Sequence, residues 1–229
     1  MPTLAAKPKK SSPTPARRAP GVRELAAQAT RDNILKAAIK VFSKSGFAGG
    51  RVEQISRAAK SFDRMIYYYF GSKEQLFIAA LEEIYRRFCE AEAKVDLDLK
   101  QPVESLRTVI LFTWTYYQKH PEFITLLNSE NLHRGKHISK SMRAREYSAA
   151  AISILDKVLR SGIRKKVFRS DVDARDLYLM IASLCYFYLS NRFTLTAFLG
   201  ESLEAASALS HWESFITDAV LRVVAPGAT

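Results

Sequence analysis

The sequence contains little of what disulfide-rich, membrane-spanning or secreted proteins need. It has only two cysteines, Cys89 and Cys185, far apart and in apolar contexts. We interpret them as small buried thiols rather than a disulfide framework or a zinc cage. The longest apolar stretch, Leu177 to Leu189, is shorter than the ~20 residues that cross a bilayer. The N-terminus also lacks the apolar segment of a secretory signal. We therefore expect a soluble, cytoplasmic protein with no membrane partner.

Motifs for catalysis, metal binding and cofactor binding are weak or missing. Gly46, Gly49 and Gly50 are too few and wrongly ordered for a phosphate-binding loop, and no nucleophile is paired with a base. His133 and His137 have the i, i+4 spacing of a metal pair. They flank a glycine in a predicted loop, however, with no cysteine or carboxylate at ligand spacing. We expect no enzymatic activity, no cofactor and no metal site.

Positive charge is abundant and unevenly distributed. The net charge is +12, of which residues 1–28 carry +5, residues 29–73 carry +6 and residues 74–229 carry +1. This asymmetry predicts a nucleic-acid-binding end joined to a neutral remainder. Residues 1–28 are rich in Pro, Ala, Lys and Ser, which predicts a disordered basic arm. The arm either contacts DNA, through phosphates or the minor groove, or serves as a solubilising tail.

Apolar residues at helical spacing predict an all-α fold with about nine helices. We expect Thr30 to cap the first helix, Ser72 to cap the fourth and Asp173 to cap the eighth. Gly46 suits the left-handed position after the first helix. The predicted helices run approximately over residues 30–45, 51–59, 62–70, 73–93, 102–119, 121–132, 139–166, 174–198 and 203–224.

The first three predicted helices are short and closely connected, as in a helix-turn-helix module. Helical spacing gives the third of them an apolar side, formed by Ile66 and Phe70, and an opposite polar side. Arginine and tyrosine side chains suit phosphate oxygens, and residues at the helix N-terminus reach base edges. The alternative is that the tyrosines are packed in the core. The polar side carries Asp63, Arg64, Tyr67 and Tyr68.

The segments TRDNILKAAIKVFSKSGF, VEQIS and IYYYFGSKEQLF resemble the TetR/AcrR family of bacterial transcription regulators. The resemblance covers residues 30 to about 78 densely and the rest of the chain only in architecture. It implies a helix-turn-helix domain over residues 29–73 and a ligand-binding and dimerisation domain over residues 74–229. It also implies a homodimer on a palindromic double-stranded DNA operator. A small-molecule effector would change the distance between the two recognition helices.

The sequence departs from the family pattern at two positions. Lys60 stands where the family usually has the turn glycine before the recognition helix, so a strained or altered turn is expected there. Ser61 then takes over as the cap of the third helix. Gly50 stands where the second helix usually has a Thr or Ser cap. By position, the resemblance implies DNA contacts at Arg51, Asp63, Arg64, Met65, Tyr67, Tyr68, Tyr69 and Lys73.

The remainder of the chain is rich in aromatic residues, which at helical spacing belong to a core more often than to a pocket. If Arg134 faces inward, a small anionic carboxylate is an attractive ligand. The last two helices are predicted to pair with those of a second copy as a four-helix bundle. The candidate pocket residues are Phe88, Trp114, Tyr117, Asn131, Arg134, Tyr178 and Tyr186.

These features predict a DNA-binding transcriptional repressor that a small molecule releases from its operator. The alternative is a small-molecule-binding or interaction protein whose basic end contacts nucleic acid without sequence choice. Specific binding should survive excess competitor DNA at physiological salt, whereas purely electrostatic binding should not.

Overall fold

The computed structural model describes residues 21–227, and all regular structure in that range is helical, which confirms the all-α prediction. A short 3-10 turn, Ile138–Lys140, precedes the seventh α-helix. None of the helices between residues 21 and 227 combines the length and the apolar character that crossing a membrane requires. The nine α-helices of this range are α1 (Val22–Gly49), α2 (Val52–Ala58), α3 (Asp63–Phe70), α4 (Lys73–Glu92), α5 (Pro102–Lys119), α6 (Pro121–Leu132), α7 (Ala144–Arg164), α8 (Ala174–Leu199) and α9 (Ala206–Val224).

Local capping explains why several helices begin where the sequence predicts. The Ser72 hydroxyl accepts a hydrogen bond from the Gln75 N–H at the start of α4. The Asp173 carboxylate accepts from the N–H groups of Arg175 and Asp176 at the start of α8. These side chains satisfy helix donors that have no partner within the helix.

The start of α1 differs from the prediction. The helix begins at Val22, so Thr30 lies inside it and its hydroxyl donates to the Ala26 carbonyl at 2.9 Å. The predicted disordered arm is therefore wrong for residues 22–28, while residues 1–20 lie outside the described part of the chain. Residues 22–28 are mostly good helix formers, so this exposed turn extends α1 without burying an apolar stripe.

Three other helices begin later than predicted. Arg51, not Gly50, occupies the cap position of α2, and its N–H donates to the Gln54 side chain. The seventh helix begins at Ala144 because the Ser141 hydroxyl accepts from the N–H groups that follow it. Helix α9 begins at Ala206.

One apolar core extends from the first helices into the rest of the chain. Phe42 of α1 packs edge-on against Phe77 of α4, with ring centroids 5.1 Å apart. Helix α4 then continues for several more turns among the later helices. With 20 residues at 1.5 Å per residue, it is about 30 Å long. It joins the basic end of the molecule to the aromatic core.

Candidate DNA interface and effector site

Helix α3 separates a buried face from an exposed one, as its spacing predicts. Ile66 is fully buried, and Phe70 is nearly so. On the opposite face Arg64 is exposed, together with half of Tyr67 and 76% of Tyr68. Exposed aromatic side chains beside a cation form a surface suited to phosphates and base edges.

The residue before α3 extends this exposed surface. Phe62 occupies the cap position without a capping side-chain bond and is 70% exposed. The Arg64 guanidinium lies 5.4 Å from the centre of its ring. The expected cap at Ser61 is therefore wrong by one residue. Sequence reasoning did not choose Phe62 as a site residue, although a phenylalanine outside the apolar periodicity of α3 was the available signal.

The turn between α2 and α3 has the strained backbone that Lys60 predicts. Lys60 has φ +51°, in the left-handed region that a non-glycine residue enters at a cost. Its N–H donates to the Arg57 carbonyl, and the Ser61 N–H donates to the Ser56 carbonyl. These two bonds are those of a Schellman motif, which normally has glycine at the left-handed position.

Three predicted DNA contacts are partly committed to packing within the protein. The Ser56 hydroxyl donates to the Asp63 carboxylate, which joins α2 to the start of α3. Met65 and Tyr69 are half-buried and pack against the apolar core. The structure thus places Asp63, Met65 and Tyr69 less openly on the surface than Arg64 and Tyr68.

Two further predicted contacts lie at the ends of neighbouring helices. Arg51 is exposed before α2. Lys73, at the start of α4, is half-buried; its ammonium lies 4.9 Å from the centre of the Phe47 ring and 3.4 Å from the Ala48 carbonyl. Lys73 therefore ties α4 to the end of α1, beside the α3 surface.

The seven predicted pocket residues do not form one site. Phe88, Tyr117 and Tyr178 line a common cavity among α4, α5, α7 and α8. Trp114 is fully buried elsewhere, with its ring centre 5.6 Å from that of Tyr188. Arg134 is exposed on the turn after α6, with φ +56°, and does not face inward as the anionic-ligand hypothesis requires.

Asn131 and Tyr186, the remaining two, belong to a polar contact between α6 and α8. The Tyr186 hydroxyl donates to the Asn128 side chain, which also accepts from Ser190 at 2.9 Å. Asn131 is exposed and lies 3.4 Å from the Tyr186 hydroxyl. This contact links α6 to α8 rather than lining the common cavity.

Helix α6 also contacts the N-terminal helices. The Ser129 hydroxyl accepts from the N–H of Phe47, just after the kink in α1 at Gly46. Gly46 has a positive φ of +65° as predicted, but its ψ of −177° is not left-handed helical, and the residue forms a kink within α1 rather than following its end. Successive residues of α6 thus bond to α8 on one side and to α1 on the other.

The two histidines after α6 serve this junction. His137 is fully buried; its Nδ1 lies 2.7 Å from a Glu130 carboxylate oxygen, and its ring lies 4.4 Å from that of Phe47. The Nδ1 of His133 lies 2.7 Å from the Ser129 carbonyl. Both rings therefore help to pack the turn after α6 against the end of α1.

The cavity contains one titratable residue that sequence reasoning missed. Glu92 is only 5% exposed, and its Oε2 has no hydrogen-bond partner within residues 21–227. Burial raises the pKa of its carboxyl to about 7. Its position four residues after Phe88, on the buried stripe that includes Ile84, was the signal that could have identified it.

Helices α8 and α9 leave a broad apolar surface exposed. Phe187, Phe193 and Phe198 of α8 and Phe215 of α9 are each more than half exposed. The Phe215 ring stacks on Trp212, which in turn stacks on Tyr188. Exposed aromatic clusters of this kind mark interaction surfaces in soluble proteins.

Comparison with known sequences identifies the family. Residues 34–80 match "Bacterial regulatory proteins, tetR family", and residues 102–220 match "Tetracyclin repressor-like, C-terminal domain". The chain belongs to the TetR family. The predicted function of a DNA-binding transcriptional regulator is thereby confirmed.

Similar proteins in this family are named as transcriptional regulators. The chain is 56% identical to the HTH-type transcriptional repressor NicS of Pseudomonas putida, across 88% of this chain and 95% of that one. It is 26% identical to the repressor SCO4008 of Streptomyces coelicolor, across 69% and 77%. The solved structure of FadR from Bacillus subtilis, in complex with stearoyl-CoA, has the same fold, with a TM-score of 0.64 and 20% identity over 85% of this chain and 99% of that one.

Proposed function

We propose that this TetR-family protein is a homodimeric repressor that binds a palindromic operator through α3. The main support for this proposal is the face of α3 that carries Arg64, Tyr67 and Tyr68, because these side chains are exposed to solvent in the described part of the chain. A helix-turn-helix dimer places two such helices in successive major grooves, about 34 Å apart. The molecule then acts as a regulator and not as an enzyme, in the cytoplasm where the operator lies.

The individual contacts follow from exposure and charge. Arg64, near the N-terminus of α3, is placed to read base edges, since arginine forms paired hydrogen bonds with guanine. Tyr67, Tyr68 and Arg51 are placed to bind phosphates on either side. Lys73, although held near Phe47, keeps its ammonium at the same end of the molecule and adds a phosphate contact. Asp63, Met65 and Tyr69 position the helix more than they contact DNA.

The dimer would form through the apolar surface of α8 and α9. Pairing of two such surfaces across a two-fold axis makes a four-helix bundle and removes Phe187 and Phe215 from water. A second copy is the occupant that a palindromic operator requires. This interface lies in the ligand-binding and dimerisation domain, which we propose begins near residue 74, after a DNA-binding domain that starts with α1.

Release from DNA requires a mechanical connection between the effector site and α3. Helix α4 supplies one, because it carries Glu92 at one end and Lys73 at the other. Helix α6 supplies another, through Ser129 to α1 and Asn128 to α8. We infer that a ligand held among α4, α5, α7 and α8 shifts these helices and changes the spacing of the two recognition helices in the dimer.

A mobility-shift assay with the DNA upstream of the protein's own gene tests this function. We expect a shift that persists with excess competitor DNA at physiological salt. Light scattering at micromolar concentration should give the mass of a dimer. Binding that disappears with competitor would favour the alternative, a protein whose basic end contacts nucleic acid without sequence choice, and a monomer in solution would contradict the proposed assembly.

A further inference from the structure

Glu92 is the last residue of α4, where an anionic side chain is electrostatically unfavourable. The C-terminal end of a helix carries partial negative charge from unpaired carbonyl groups, so it repels a carboxylate and attracts a cation. The chain nevertheless buries this carboxylate almost completely and leaves Oε2 without a partner among residues 21–227. An unpaired charge in this position costs stability, so a partner supplied from outside would relieve the cost.

The lining of the cavity around Glu92 includes no cationic side chain from the described residues. It is formed from α4, α5, α7 and α8 by apolar side chains, three aromatic rings and the Thr113 side chain, whose hydroxyl donates to the Val109 carbonyl. The other titratable groups of the lining are the phenols of Tyr117 and Tyr178, whose pKa values burial raises, so both are neutral. The Glu92 carboxyl in its ionised form and the helix end both present negative charge to an entering ligand.

The space itself is small, and its α8 side is less buried than its α4 side. Its volume is about 10 Å³, which accommodates about one water molecule. On its outer side Tyr178 and Ala182 of α8 are only half-buried, whereas Phe88 and Tyr117 are buried on the inner side. A ligand larger than water would therefore enter by moving the Tyr178 ring outward, which displaces α8 relative to α4.

We propose that this cavity is the effector site and that Glu92 anchors a compact ligand through a positively polarised N–H group. The ligand that fits this site best is an organic amine bound as its ammonium ion. The carboxylate accepts the N–H bond, and the rings of Phe88, Tyr117 and Tyr178 enclose the apolar body and favour the cation through their faces. The role of this ligand as an effector rests on the proposed function. Its charge is opposite to that of the anionic carboxylate that an inward-facing Arg134 would have implied.

Three probes of one shape test the charge preference on the full-length protein. Benzylamine, benzyl alcohol and benzoate share a ring and differ at the substituent, so calorimetric titration measures the contribution of the ammonium. We expect benzylamine to bind in the millimolar range, about tenfold or more tighter than the other two, because a charge-assisted hydrogen bond contributes that much. Equal affinities, tighter binding of benzoate or no binding of benzylamine would overturn the proposal.

Two variants of α4 complete the test. Glu92→Gln keeps the shape of the side chain and should abolish the preference for benzylamine. Glu90→Gln, which makes the same charge change at an exposed position two residues away, should leave it unchanged. Circular dichroism would show that both variants are folded. Loss of the preference in both variants or in neither would contradict a role for Glu92.

The operator assay separates this inference from the proposed function. If the wild-type chain binds no operator but prefers benzylamine through Glu92, the repressor proposal fails and the ligand site remains. If it binds operator specifically but shows no preference among the probes, the ligand inference fails alone.

Discussion

The two ends of this molecule use the same residue types in opposite ways. In α3 the aromatic residues Tyr67 and Tyr68 point outward beside Arg64. In the later helices aromatic rings pack inward, and the carboxyl of Glu92, the proposed ligand anchor, is buried among them. A surface of exposed aromatic and cationic residues suits the binding of a large polyanion such as DNA. A cavity with a buried carboxyl among aromatic rings suits the binding of a small cation. The net charges of the two regions, strongly positive and almost neutral, reflect the same division.

Breaking the dimer should have the largest effect, because it would show that the later helices control DNA affinity without touching DNA. Phe215→Asp places a charge in the proposed α8–α9 interface, at a ring that is 51% exposed and therefore costs little core packing. We expect monomers by light scattering and operator affinity lower by about 100-fold or more, since the linked second site is removed.

Met142→Asp is the matched control for that experiment. Met142 is also a large exposed apolar side chain, but it lies on the segment before α7. The variant should remain dimeric and bind operator normally. A dimeric Phe215→Asp protein would place the interface elsewhere.

The buried carboxylate of Glu92 should make the stability of the protein depend on pH. Because the pKa of Glu92 is raised from 4.5 to about 7, the folded chain keeps a proton that the unfolded chain releases. The contribution of the Glu92 carboxyl to stability is therefore fully present below about pH 4.5, falls as pH rises towards 7, and is constant above that. The advantage of Glu92→Gln over wild type should grow by roughly 3 kcal/mol between about pH 5 and pH 8.

Urea unfolding of the ligand-free protein at the two pH values measures this difference. The exposed Glu90→Gln variant should show almost no change in its advantage with pH, because a surface carboxylate contributes little. The same small difference in both variants would mean that the Glu92 carboxyl is solvated in the folded state.

Local features explain which parts of this fold are predictable from sequence. The Ser72 and Asp173 caps, and the predicted boundary between helices 102–119 and 121–132, depend on neighbouring residues, and the structure agrees at each. The start of α1 is not predictable in this way, because residues near Val22 extend the helix without an apolar stripe.

The candidate sites divide along the same line. The exposed face of α3 follows from its own periodicity, so Arg64 and Tyr68 are predictable as surface residues. The interior site depends on how four helices rotate against one another. That rotation places Tyr178 and Phe88 together, sends Arg134 to the surface and leaves Glu92 between the rings, and no single segment specifies it.

Removing Arg64, the cation of α3, should weaken DNA binding, whereas removing an arginine from the later helices should not. Arg64→Ala is expected to lower operator affinity by about 1–3 kcal/mol and to relax sequence preference at one base pair. Arg160→Ala removes another exposed arginine, from α7, where it pairs with Asp156, and should not alter DNA binding. Fluorescence anisotropy with single-base operator variants measures both. A uniform weakening across all operators would reassign Arg64 to a phosphate contact.

The smallest expected effect compares two lysines with the same backbone conformation. Lys60 before α3 and Lys166 after α7 both have left-handed φ values, +51° and +58°, and both close a turn with Schellman hydrogen bonds. Glycine at either position should raise the free energy of unfolding by about 0.5–1 kcal/mol, because the left-handed conformation costs a side chain more than the extra freedom of glycine costs the unfolded chain. We therefore expect the same gain in stability at both ends of the molecule.

DNA binding should distinguish the two lysines. Lys60→Gly removes an exposed cation beside the recognition helix, so the slope of log affinity against log salt should fall by about 1 if that ammonium neutralises one phosphate. Lys166→Gly should leave that slope unchanged. If both variants gain stability and only the first shows a weaker salt dependence, the strained lysine in the turn is retained for DNA. If Lys60→Gly gains stability without changing the slope, this side chain has no phosphate partner, and the basic surface is confined to α3 and the residues around Arg51.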